Sequence, residues 1–140
     1  MARAAFFKKQ KKTAEQRLAE RRLMWVHQKT KYLTYVDIVR MEADDKKLRA
    51  LDVIYFEGPH STGIGKPGGR LKVIDNLGET IGLVEILSWV ATEQHTFEGS
   101  LHMGLYLKMN ARILEGEKKA FRAASILADP DLPEYVDSTH

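Results

Sequence analysis

"GPHSTGIGKPGGRLKVIDNLGE", residues 58–79, decides how the rest of this 140-residue chain is read. Its first thirteen positions hold five glycines, two prolines, Lys66 and Arg70, after which the stretch turns apolar. Two conformations compete for it. Either two short helices flank the glycines, or two strands are joined by a long hairpin loop in which glycine serves only to turn the backbone. Leu71, Ile74 and Leu77 recur at helical spacing, which fits the first, whereas the second joins strands at 51–57 and 70–75, and the sequence does not choose between them.

Upstream, "YLTYVDIVRM" and "LDVIYFE" are rich in β-branched and aromatic residues, which predicts antiparallel strands at about 33–41 and 48–57 across the charged "EADDKK". A helix through 36–50 competes, because "ADDKKLRA" consists of helix formers. Earlier still, "TAEQ" offers a capping box with Thr13 as N-cap and Gln16 reaching back, so a helix begins near residue 14. Leu18, Trp25 and Tyr32 recur every seven residues along it, a single apolar stripe on a basic helix.

Downstream, "TIGLVEILSWV" fits a buried central strand or a helix capped by Asn76, and periodicity does not choose between them. "FEGSLHMGLYLKM" alternates cleanly from Leu101 to Met109 and predicts a strand. "ARILEGEKKAFRAASILA" predicts a helix over 111–128 with Ile113, Ala120, Phe121, Ala124 and Leu127 inward, stopped by "DPDLP". The expected architecture is α+β: a basic N-terminal helix, a small mixed or antiparallel sheet with helices on one face, a C-terminal helix and an acidic tail. Its expected units are a flexible basic arm (1–12), one domain (13–128) and an extended acidic tail (129–140).

Charge is unevenly laid out. Residues 1–40 carry eleven Lys/Arg against three Asp/Glu, a net of +8, whereas the other hundred carry eleven against sixteen, a net of −5. A basic front on a mildly acidic body suits a polyanionic partner; its plain alternative is a solvated helix or an arm folded back on its own carboxylates. The absence of cysteine excludes disulfides, thiolate nucleophiles and Cys-ligated metals. No apolar run approaches the roughly 18 residues of a membrane span, and "MARAAFFKKQKK" has no secretory h-region, so a cytoplasmic or other intracellular setting without membrane contact is expected.

"HSTGIGKPGGRL" fails the P-loop pattern at two positions. Gly63, Gly65 and Gly68 satisfy G-x-G-x-x-G, but without the βαβ context that gives those glycines their dinucleotide role. "IGKPGGRL" matches I-G-x-x-G-x-x-[IL] and resembles the G-x-x-G loop of KH nucleic-acid-binding domains. Leu71 and Ile74 stand where that family's post-loop helix packs, and "IGLVEI" stands at its next strand. The resemblance implies that backbone N–H groups of Gly65, Lys66, Gly68 and Gly69 approach a nucleotide backbone, with Lys66 adding attraction for phosphate. Pro67 inside the loop and the helix-poor "GPHSTG" depart from the family pattern.

Glu93, His95, Glu98 and His102 cluster in sequence but lack a metal-ligand spacing, and Ser61, Ser88 and Ser100 lack a nucleophile elbow, so no cofactor, metal or catalytic residue is assigned. The expected function is non-enzymatic nucleic-acid binding, RNA ahead of DNA. The expected contacts come from Lys8, Lys9, Lys11, Lys12, Arg17, Arg21 and Arg22 of the arm and helix, and from Gly65, Lys66, Gly68, Gly69 and Arg70 of the loop. The alternative is a structural or regulatory subunit of a larger assembly (a viral particle, a ribosome-like complex or a polymerase) that binds protein partners. A small metal- or nucleotide-dependent enzyme ranks third.

Overall fold

In the computed structural model, which describes residues 11–31, 33–41, 52–60, 65–95 and 103–137, the helix α1 (Ala14–Lys29) opens the fold. The Thr13 hydroxyl accepts from the Gln16 N–H at 3.1 Å, and the Gln16 side chain accepts from the Thr13 N–H at 2.8 Å, so the expected capping box is present. Glu15 in the first turn and His27 and Lys29 in the last complement the helix dipole.

Seven strands follow among the described residues: β1 (Leu33–Tyr35), β2 (Ile38–Arg40), β3 (Val53–His60), β4 (Arg70–Asp75), β5 (Thr80–His95), β6 (Met103–Glu115) and β7 (Ala124–Ala128). They form one antiparallel sheet in the order β1-β7-β4-β5-β6-β3-β2. The sheet curls strongly into a half-barrel, and its β1 margin comes round to β3, the strand beside the other margin, where Thr34 pairs with His60. β1 and β2 act as one bent segment. Val36 donates its N–H to Ser125 on β7, and Asp37 donates to Glu57 on β3, so the segment changes partner at the bend.

This architecture overturns the α+β expectation. Residues 70–75 form the strand of the second conformation open to the glycine segment, but β4 is not a sheet neighbour of β3, so no hairpin joins them. The predicted helix over 111–128 does not exist: 111–115 extend β6, 118–123 form a 3₁₀ turn, and 124–128 are β7. Helices therefore do not cover one face of a small sheet. The ambiguous 80–92 segment resolves as strand, and the sheet at 38–40 and 53–57 answers the competing helix through 36–50 as far as residue 41. The charged turn between those strands lies outside the described residues.

The ambiguity at β4 and the misreading at β7 share a cause. Leu71 and Val73 of β4 and Ala124 and Leu127 of β7 join the interior cluster around Ile54, Phe56, Val84, Ile86, Leu107 and Met109. Ile74 of β4 and Ile126 and Ala128 of β7 point the other way, into a second cluster with Val26 of α1 and Leu132. Strands covered on both faces lose the alternation that marks a strand in sequence. Phe121 is fully buried against Gly82, where a Cβ would lie 2.4 Å from its ring; the missing side chain in β5 is what lets the 3₁₀ turn insert its aromatic.

Candidate nucleic-acid interface

The glycine segment is a crossover, since β3 and β4 are not neighbours in the sheet. Lys66 to Gly69 make a tight turn in which the Gly69 N–H donates to the Lys66 carbonyl at 2.9 Å. Pro67 takes the second position and Gly68, with φ of 90°, the third, the arrangement of a type II turn. The turn is tied to β5: Gly68 N–H donates to Ile86 O, Ile86 N–H donates to Gly69 O, and the Trp89 indole donates to Gly65 O at 2.9 Å. The N–H groups of Gly68 and Gly69 are thus spent inside the protein. They do not form the phosphate cradle that the KH resemblance implies, and no helix follows to supply a dipole. Pro67 fits a type II turn, which explains its place in the loop.

What the turn does present is side-chain charge. Lys66 and Arg70 are exposed on either side of it, and both line a groove with Lys31, which follows the end of α1. Asp129, Pro130 and Asp131 also line that groove. Asp129 is buried and accepts from the Asp131 N–H at 3.1 Å, so this carboxylate is partly engaged in the tail's own turn.

The basic helix meets carboxylates of the same molecule. Arg21 pairs with Asp137 at 3.0 Å, Arg22 with Glu79 at 3.0 Å, and Lys12 with Glu20 at 2.5 Å. Arg21 and Arg22, two of the expected contact residues, are thus each engaged by a carboxylate of the chain itself. The hydrogen bond to Asp137, then that involving Tyr135, raises the Arg21 pKa further above its ordinary value. Lys11 and Arg17 are exposed, and the Lys29 ammonium stands 5.2 Å from the Trp25 ring centroid. Lys8 and Lys9 lie outside the described residues.

The acidic tail, which no sequence motif marks as a contact surface, packs along α1. Leu132 is buried beside Val26, and the Lys72 ammonium donates to its carbonyl at 2.6 Å while facing Glu134 at 3.8 Å. Trp25 donates its indole N–H to Pro133 O at 2.8 Å and meets Tyr135 edge-on, with centroids 5.9 Å apart. The signal available in the sequence was charge opposition: a tail with four acids and no Lys or Arg, against a helix at the basic end.

Among the described residues no group of three His, Cys, Asp or Glu side chains could hold a metal ion; Glu98 and His102 fall outside them. Likewise, no helix among them is long and apolar enough to cross a membrane. Compared with protein-family models, curated proteins and solved structures, the chain matches none.

Proposed function

We propose that this chain is a non-enzymatic nucleic-acid-binding protein, with single-stranded RNA ahead of DNA as its ligand. The observation that carries the reading is the meeting of Lys31, Lys66 and Arg70 at one groove, from segments far apart in sequence. The net +8 of residues 1–40 supplies long-range attraction for phosphate, and exposed Lys11 and Arg17 add sequence-independent contacts. In this reading the glycine turn contributes rigidity and two cations, not backbone donors. Trp89 braces it from β5.

Fluorescence anisotropy with a labelled RNA oligomer tests this. Affinity should fall steeply with salt, and the double variant Lys66→Glu, Arg70→Glu should flatten the log–log slope by roughly 1.4, at about 0.7 for each single-strand phosphate no longer neutralised. The Trp89 indole N–H resonance should shift on titration, since its partner carbonyl lies at the turn. Unchanged affinity and slope in the variant would remove the groove from the reading.

The second reading, a structural or regulatory subunit that binds protein, is favoured by one observation. Arg21 and Arg22 are already neutralised by Asp137 and Glu79, which lowers the charge the helix offers a polyanion. An absence of RNA and DNA binding even at low salt would move the assignment to that class.

A further inference from the structure

We infer that Arg21, Lys72 and Trp25 form a second phosphate- and base-binding surface, which the chain's own residues 133–137 occupy as an internal stand-in and which nucleic acid takes over by displacing them. The inference rests on the proposed nucleic-acid function and names a further site for it.

The tail contacts divide sharply at Leu132. Up to that residue the tail is held by burial, with Leu132 only 5% exposed among Val26, Ile74, Ile126 and Ala128. Beyond it, the contacts to α1 and β4 are polar or made at a ring edge, and Val136 points into solvent. The Glu134 side chain is 79% exposed and 3.8 Å from the Lys72 ammonium, a separation and exposure at which an ion pair contributes little. The outer five residues are thus held more by polar contacts than by burial, and their departure opens the cavity that Val26, Ile74 and Leu132 line beneath them.

The groups beneath them suit a nucleotide better than they suit the tail. Arg21 gives one guanidinium nitrogen to Asp137, while its Nε is buried with no hydrogen-bond partner. A guanidinium fork is matched by the several oxygens of a phosphate, which can accept from both edges at once. Trp25 is held by Pro133 O and packs against Tyr135, with Lys29 over one face of its ring, so departure of the tail leaves the other face of the indole for a base to stack on. The tail links this surface to the first groove in sequence: residues 129–131 line the groove at Lys31, Lys66 and Arg70, and residues 132–135 line a second cavity at Arg22 and Trp25. A single strand that follows the tail's path meets both.

The two tryptophans make the test separable, because Trp89 reports the glycine turn and Trp25 reports the tail. Full-length protein labelled with ¹⁵N is titrated with the RNA oligomer, and the variant Glu134→Gln, Asp137→Asn is compared with wild type by anisotropy. Leu132 is untouched in that variant, and a thermal melt checks that it folds. The expected result is a Trp25 indole resonance that moves on titration, together with several-fold tighter binding and a steeper salt slope in the variant, by about 0.7 per newly contacted phosphate. If Trp89 moves while Trp25 stays fixed and the variant binds no tighter, the inference is overturned and the proposed function stands. If neither resonance moves and neither protein binds at low salt, both fall.

Discussion

β4 and β7 differ from the far half of β5 in how many of their faces are covered, and that difference separates what stabilises this protein from what it can offer a partner. β4 and β7 lie between the interior of the half-barrel and α1, so Leu71 and Leu127 are buried on one side and Ile74 and Ile126 on the other. Beyond Ile86, β5 pairs with β6 along one edge, and Val90 is 57% exposed. The first region has little surface left to bind anything except along its helix and tail. The second sends Val90 and Thr92 into solvent just past Trp89.

Mutation can sharpen or break this contrast. The largest effect is expected at Phe121, which fills the half-barrel over Gly82: Phe121→Ala should destabilise by about 3–5 kcal/mol in denaturant titration, as for other buried aromatics. Next, Ile74→Ala should cost about 2–4 kcal/mol, because it leaves a cavity between β4 and α1. Gly68→Ala should cost about 1–2 kcal/mol, because φ of 90° is strained for any residue with a Cβ. That variant should also weaken RNA binding by displacing Lys66 and Arg70, read by the same anisotropy assay. The smallest effect belongs to the exposed strand, where Val90→Ala should cost less than about 0.5 kcal/mol. Equal losses at positions 74 and 90 would mean that the far end of β5 is covered by something other than solvent.

The same contrast explains what could be read from the sequence. The α1 cap was legible because Thr13 and Gln16 satisfy each other locally, without help from the rest of the fold. β6 was legible because Leu107 and Met109 face the core while Lys108 faces outward. β4 stayed ambiguous and β7 was read as helix, because their apolar residues serve two cores. Leu71 and Ile74 face opposite sides of the sheet, and Leu77, which completed the helical spacing, is 51% exposed in the β4–β5 turn. In 111–128 the predicted inward residues Phe121, Ala124 and Leu127 are indeed buried. The break at Gly116, with φ of 106°, and the 3₁₀ turn after it set those residues on a strand and a turn in place of a helix. At the site, the cations of the glycine turn were legible by type. The pairing of Arg21 with Asp137 spans 116 residues and depends wholly on the tail's path over α1.

The pairing of β1 with β7 also fixes an order of events during synthesis. Leu33 to Tyr35 find their hydrogen-bonding partners at Ile126 to Ala128. Emerging from the ribosome, β1 can meet β3 at Thr34, but its three-residue ladder waits until β7 has been made, and such distant pairing slows folding. Until then its ladder edge and the apolar side of α1 stand open together, which makes this interval the time when a chaperone or a neighbouring nascent chain has most to hold.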